Sequence, residues 1–170
     1  MALNKVFLEK ITLNIGVGEG GQALDAAKTL LKNVSGMTPV QTIAKTRNPT
    51  FNVRKGDAIG TKITLRGKKA EEVLTRAFHS VDKTISSKSF DENGNVSFGI
   101  KEYIDFPGLK YDPKIGMMGF DVCVSLRKKG IRISQRRIAK KKLPRKQRVS
   151  SGEAKEYLQK TYGITVASAS

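Results

Sequence analysis

Apolar and polar residues alternate along residues 10–21, where the first strand is predicted. Every second position is apolar, at Ile11, Leu13, Ile15 and Val17, and the positions between them are Thr12, Asn14, Gly16 and Gly18. Alternation with a period of two is typical of a strand that buries one face. The other face carries a hydroxyl, an amide and bare backbone instead of charges, which suits contact with a flat partner.

The same alternation returns in residues 58–66, where Lys62, Thr64 and Arg66 share the polar face. The opposite face of that strand carries Ile59, Thr61, Ile63 and Leu65. Further strands are predicted at residues 40–45, 96–106 and 120–126, and the second of these directs Ile100, Ile104 and Phe106 to the core. These patterns predict a sheet with one apolar face and one hydrogen-bonding face.

Apolar residues at helical spacing predict helices over residues 22–34 and 69–85, and a third helix over 150–163. Ser150 and Glu153 form a capping-box pattern at the start of the third, and Gly163 suits its end. Residues 1–7 are expected to be a lead-in and 164–170 a frayed tail. The order of elements predicts one α+β domain over residues 1–170, with a mostly antiparallel sheet, helices on one face and the other face open.

Composition adds a strong charge imbalance, with 32 Lys and Arg against 15 Asp and Glu and a net charge of +17. An excess of this size indicates a polyanionic partner, and nucleic acid is the leading class. One cysteine and one histidine exclude an internal disulfide and a zinc site of the Cys-x-x-Cys type. We expect no metal, no cofactor and no membrane association, and a cytoplasmic location.

Residues 127–148 contain twelve of the cations and no acid. Solvated faces usually mix both signs, so this run favours a polyanion-binding arm, which we place at residues 127–149. The predicted RNA contacts of the open face and the arm are Thr12, Asn14, Lys62, Thr64, Arg66, Arg127, Lys128, Arg132, Arg136, Arg137, Lys140 and Lys141.

Residues 46–56 form a second basic feature, a predicted hairpin tip with a turn at Asn48-Pro49. Phe51 lies on this tip without apolar neighbours at useful spacing. Two interpretations stay open: Phe51 stacks on a nucleobase, or it folds back and holds the loop in place.

The glycines of Gly16–Gly21 match the G-x-G-x-x-G pattern of a dinucleotide-binding turn. That fingerprint also needs an acidic residue about 20 positions further on, and no acid occurs between Asp25 and Asp57. A tight strand-to-helix turn is therefore favoured, and a dinucleotide-binding enzyme is the alternative function. A third possibility is a general basic accessory protein on nucleic acid.

Several longer segments carry a family likeness. They are EKITLNIGVGE, GMTPVQTIAKT, AIGTKITLRG, FDENGN and the spaced IDFPG, YDP and GMMGFDV, in this order between Glu9 and Val124. Together they resemble the large-subunit ribosomal protein five family, the 5S-rRNA-binding proteins. The basic insertion before the last helix resembles the archaeal branch.

The resemblance implies a non-enzymatic structural protein that binds 5S rRNA and attaches it to large-subunit rRNA in the central protuberance. It implies 5S contacts at Asn14 and Thr64, and a third family position, often Gln, corresponds to Met37. The 46–56 loop is implied to contact P-site tRNA, and the loops at 86–94 and 110–119 a small-subunit head protein across an intersubunit bridge. Neighbouring ribosomal proteins of the central protuberance are further implied partners. The implied tRNA contacts are Arg47, Asn48, Pro49, Thr50 and Phe51.

Overall fold

The computed structural model describes residues 5–167. Its strands are β1 (Val6–Gly16), β2 (Val40–Ile43), β3 (Ala58–Leu65), β4 (Thr84–Ser86), β5 (Val96–Ile100), β6 (Phe120–Lys128) and β7 (Thr165–Ala167). Its α-helices are α1 (Gln22–Ser35), α2 (Lys68–His79), α3 (Arg132–Gln135) and α4 (Ser151–Tyr162). Single 3-10 turns occur at Pro49–Phe51, Ser87–Ser89, Tyr103–Asp105 and Arg145–Gln147.

Five strands form the main sheet in the order β2-β3-β1-β6-β5, and every neighbouring pair is antiparallel. The strand with the clearest alternation, β1, lies at the centre between β3 and β6. The predicted α+β class and mostly antiparallel sheet are therefore confirmed.

The core lies on one side of this sheet, between its apolar face and α1, α2 and α4. Ile11 and Leu13 of β1 are fully buried there, as are Leu30 of α1 and Leu74 of α2. The Phe78 ring stacks on Phe98 of β5 with centroids 5.5 Å apart. The helices therefore pack on the face of the sheet that the alternation predicted to be apolar.

The predictions for the start of β1 and the end of α2 were wrong. The strand begins at Val6 inside the predicted lead-in, because Val6 to Leu8 pair with Lys128 to Leu126 of β6. Helix α2 ends at His79, since the Lys83 N–H donates to the Phe78 carbonyl (2.9 Å) and Lys83 has a positive φ. The apolar pattern continues past the helix because Ile85, a residue of β4, is also buried in the core.

The predicted strand over residues 96–106 is also too long, because β5 ends at Ile100. A 3-10 turn follows, and it interrupts the alternation of buried and exposed positions. Tyr103 and Phe106 are therefore buried, whereas Ile104 is exposed. The Tyr103 hydroxyl accepts a hydrogen bond from the Asp112 N–H (2.8 Å), which fixes the turn against the next loop.

The predicted frayed tail is wrong as far as residue 167. Residues Thr165–Ala167 form β7, which pairs in parallel with β4, and Ile164 is buried. The Thr165 N–H also donates to the Lys83 carbonyl at 2.8 Å. The remainder of the predicted tail, residues 168–170, and residues 1–4 of the predicted lead-in lie outside the described residues.

Candidate nucleic-acid interface

The open face of the sheet brings polar side chains from three strands into adjacent rows. Thr12 of β1 lies between Thr64 of β3 and Cys123 of β6. In the next row, Asn14 lies between Lys62 and Asp121. Successive residues of a strand alternate between faces, so all of these side chains project away from the helices.

The predicted residues of this face are accessible. Thr64, Lys62 and Arg66 are exposed, whereas Thr12 and Asn14 are half-buried because strands flank β1 on both sides. Arg66 follows directly after β3 and extends the same polar edge. The face that the sequence predicted to be open is therefore free of helices.

Other residues on this face were missed by the sequence prediction. Val40 of β2 lies opposite Lys62 and is 64% exposed, and Asp121 and Cys123 are also exposed. Partial burial, and secondarily the Asp121 carboxylate, raise the pKa of the Cys123 thiol. The alternation of β6 indicated that Asp121 and Cys123 lie on its polar face. The alternation of β2 was too weak to assign Val40 to either face.

The basic tip, residues 46–56, is closed by its own hydrogen bonds. Asn48 and Val53 form a two-way backbone bridge, and the Asn48 side chain accepts from the Thr50 N–H at 3.1 Å. Phe51 lies at the end of the tip and is 74% exposed, so burial of its ring does not hold the loop in place. All five predicted tRNA contacts, Arg47, Asn48, Pro49, Thr50 and Phe51, are exposed together on this tip.

The first two cations of the predicted arm belong to β6. Lys128 is only 6% exposed, and its Nζ donates to Glu153 at the start of α4 (2.7 Å). This contact is the largest of the causes that lower the pKa of Glu153. Arg127 forms an ion pair with Glu9 of β1. The structure thus gives Lys128 an internal partner and little access to RNA, in contrast to its predicted role.

The remaining predicted cations of the arm are exposed, namely Arg132, Arg136, Arg137, Lys140 and Lys141. The arm starts with the short helix α3 and then folds back on itself. The Arg136 Nε donates to the Ala139 carbonyl (2.9 Å), and the Gln147 side chain donates to the Lys129 carbonyl (3.2 Å). The arm therefore has internal contacts of its own, and they leave most of its charge facing solvent.

Two backbone amides of the glycine-rich turn are already used within the fold. The amides of Val17 and Gly18 both donate to the Ile59 carbonyl, at 3.0 and 2.9 Å. The turn also follows a strand of an antiparallel sheet, whereas the dinucleotide fold is built on parallel strands. The structure thus contradicts the dinucleotide-binding alternative.

Residues 5–167 contain neither a candidate metal cluster nor a membrane-spanning helix. No three His, Cys, Asp or Glu side chains lie close enough together there to hold a metal ion. Of the helices in the same range, none combines the length and apolar character needed to span a bilayer.

Comparison with known proteins identifies the family. Residues 2–54 match the profile described as ribosomal protein L5, and residues 58–161 match the profile for the C-terminus of the same ribosomal family. Relatives named large ribosomal subunit protein uL5 occur in Methanoregula boonei, with 46% identity over 96% of this chain and 99% of the relative, and in Sulfurisphaera tokodaii, with 48% identity over 96% and 93%. A third, from Methanosphaera stadtmanae, is 45% identical over 96% of this chain and 98% of its own length. The chain therefore belongs to the ribosomal protein L5 family and resembles its archaeal members.

Proposed function

We propose that this chain, a structural constituent of the large ribosomal subunit, binds 5S rRNA with the open face of its sheet. The observation that supports this most directly is the arrangement of polar side chains in adjacent rows on that face. Thr12, Asn14, Lys62 and Thr64 lie side by side on neighbouring strands, and no helix covers them.

The chemistry of this face suits a folded RNA. Double-stranded RNA is recognised mostly through its shape, its phosphates and its 2′-hydroxyl groups. The hydroxyls of Thr12 and Thr64 and the amide of Asn14 can both donate and accept hydrogen bonds with 2′-hydroxyls. Lys62 and Arg66 supply positive charge for phosphates at the edge of the same surface.

The arm and the tip provide two further contact surfaces. The exposed cations of residues 129–148 are proposed to bind large-subunit rRNA and so attach the 5S rRNA to it. The tip, with Phe51 at its end, is proposed to contact P-site tRNA. The loops at residues 86–94 and 110–119 are proposed to face a small-subunit head protein across a bridge, and neighbouring central-protuberance proteins complete the site.

Family membership supports a structural rather than a catalytic role for the chain. Large-subunit proteins work in assembled ribosomes, which places this chain in the cytoplasm. The charge distribution agrees with this role. The net charge is +17, and much of the positive charge lies on exposed side chains of the arm and the tip.

Binding of 5S rRNA by variants of the open face tests the proposal. Asn14→Ala and Thr64→Ala each remove one hydrogen-bonding group, which is worth about 0.5–1.5 kcal/mol, or roughly a 2- to 10-fold loss of affinity. Asn33→Ala on α1 and Thr75→Ala on α2 are matched controls, because both residues are exposed on helices away from the open face. Filter binding at fixed salt, with an unrelated folded RNA as competitor, measures the effect.

A salt series separates specific from general binding. If about six cations each neutralise one phosphate, log K falls with log salt at a slope of roughly −4 to −5. Equal affinity for 5S rRNA and the competitor would favour the general basic accessory protein. Parent-like binding by both Asn14→Ala and Thr64→Ala would show that this face is not the contact surface.

A further inference from the structure

A groove lies between the basic tip and the turn that follows β1. Its lining includes Phe51 and Val53 from the tip, Gly16 to Glu19 from the turn, and Ile59 from β3, and its volume is about 520 Å³. A second, adjoining cavity of about 300 Å³ shares Phe51, Val53 and Glu19. Phe51 and Glu19 thus border both cavities.

The floor and the walls of this groove are fixed. The amides of Val17 and Gly18 are hydrogen-bonded to the Ile59 carbonyl, and the Asn48–Val53 bridge closes the tip opposite them. Glycine at position 18 has a positive φ, and no atom lies within 4 Å of the position where a Cβ would project. The groove is therefore bounded by a bare backbone turn on one side and the exposed Phe51 ring on the other.

Glu19 is the carboxylate of this groove that has no partner. Within residues 5–167 it forms no ion pair and no hydrogen bond through its side chain. Asp57, the other acid at the groove, already accepts a hydrogen bond from the Arg54 N–H at 2.7 Å. An unpaired carboxylate beside an RNA-binding tip would repel phosphates, so its favourable contact with RNA is a base edge that carries hydrogen-bond donors.

We propose that this groove binds one unpaired guanine of an RNA, with the base stacked on Phe51 and its Watson–Crick edge paired to Glu19. Guanine offers two adjacent donors on this edge, N1–H and N2–H, which match the two oxygens of a carboxylate. Adenine and cytosine place a ring acceptor beside their amino group, and uracil flanks its single donor with two carbonyls. Because the pairing is specific to guanine, the groove would recognise a base as well as the backbone.

Stacking and charge complete the site. Unpaired bases of RNA commonly stack on aromatic side chains, and removal of the ring weakens binding by about tenfold or more. The exposed cations Arg47, Arg54 and Lys55 lie on the same tip and would neutralise the phosphates on either side of the bound base. The inference rests on the proposed function only in requiring that RNA is the partner.

Short RNAs with one variable base test this inference on the full-length protein. The probes are fluorescein-labelled hexaribonucleotides of five uridines with a single guanine, inosine or adenine, and fluorescence anisotropy gives the affinities. We expect the guanine hexamer to bind about tenfold more tightly than the adenine hexamer, as for a good bidentate contact to a base. Inosine lacks the N2 amino group and should bind with intermediate affinity.

Three variants separate the two contacts. Glu19→Gln should reduce the guanine preference below about twofold while binding of the adenine hexamer is kept, since the amide replaces one of the two acceptor oxygens with an NH2 donor. Phe51→Leu should weaken both hexamers by about tenfold and leave their ratio unchanged. Glu72→Gln, which removes the same charge from the exposed side of α2, should retain the full preference.

Parallel measurements with 5S rRNA distinguish this inference from the proposed function. Binding of 5S rRNA without a guanine preference among the hexamers, or without hexamer binding, overturns the guanine site and leaves the proposed function in place. A guanine preference that persists in Glu19→Gln also overturns it. Absence of binding to every RNA would overturn both.

Discussion

The contact between Lys128 and Glu153 should stabilise the fold, and Glu153→Gln is the substitution that tests it. Glu153 has two roles at the start of α4. Its Oε2 accepts from the Ser150 N–H (3.0 Å) as part of a capping box, and its Oε1 accepts from the Lys128 Nζ (2.7 Å). Glutamine is compatible with a capping box, so this change mainly removes the charge that faces the buried ammonium group.

The expected loss in the free energy of unfolding follows from the burial of the two groups. Hydrogen bonds to charged groups contribute about 1.5–3 kcal/mol and neutral ones about 0.5–1.5 kcal/mol, so the charge accounts for roughly 1–1.5 kcal/mol. The Lys128 side chain is 5% exposed, but that of Glu153 is 43% exposed, and solvent screening favours the lower end. We expect Glu153→Gln to cost about 1 kcal/mol at pH 7.

The pH dependence provides a second measurement. Because the pKa of Glu153 is lowered from its ordinary 4.5 in the folded protein, its stabilisation is complete above pH 4.5 and is lost as the pH falls through the folded-state pKa. The difference between the parent and Glu153→Gln should therefore shrink in acid. Urea unfolding followed by circular dichroism measures both quantities.

Glu156→Gln is the matched control, because Glu156 lies on the same helix and pairs with exposed Lys160 at 3.6 Å. Such a surface pair contributes about 0.3–0.5 kcal/mol. Equal destabilisation by the two substitutions, or a Glu153→Gln effect that stays constant from pH 7 into acid, would refute the argument.

Two further predictions concern the backbone and the core. Gly152→Ala should raise the free energy of unfolding by about 0.4–1 kcal/mol, because the position is helical and open. Gly119→Ala should lower it by roughly 1–3 kcal/mol, since a Cβ there would lie 2.5 Å from the Lys101 carbonyl oxygen. Thermal unfolding of both variants checks this, and equal shifts would contradict it. Burial raises the pKa of Tyr162 to about 12, so ultraviolet titration should show at least one tyrosine still neutral at pH 11, and stability should fall as the pH rises from 10 towards 12. Tyr162→Phe should reduce the late-titrating absorbance by one tyrosine, and an unchanged titration above pH 11 in the variant would contradict the assignment.

The sheet and its open face were predictable because alternation specifies a face independently of the partner strand. Thr12 and Thr64 were assigned to one surface from two separate strands, and the structure places them in register. Helix α4 was predictable for a local reason, since the Ser150 capping box is complete within four residues.

Features set by long-range contacts could not be predicted from local patterns. The apolar stripe beyond His79 suggested a longer α2, but Ile85 is buried from β4, which pairs with β7 about 80 residues later. Lys128 was grouped with the arm because charge runs do not show where a strand ends. Its burial depends on Glu153, which lies 25 residues further on.

The groove beside Phe51 is a third feature that local sequence patterns could not predict. The sequence indicated an aromatic residue on a basic tip but gave no information on what faces it. Only the fold brings Glu19, at the start of the chain, to the same cavity as Phe51. The hydrogen bonds from Val17 and Gly18 to Ile59 hold the turn against β3 and so keep Glu19 beside the tip.

The central position of β1 has a consequence for biosynthesis. This strand leaves the translating ribosome first, yet its second neighbour, β6, is complete only when residue 128 has been made. At about 5–20 residues per second, translation of the intervening 112 residues takes roughly 6–22 s. During that interval one edge of β1 has no partner strand on the nascent chain, and an unpaired strand edge can pair wrongly with another chain.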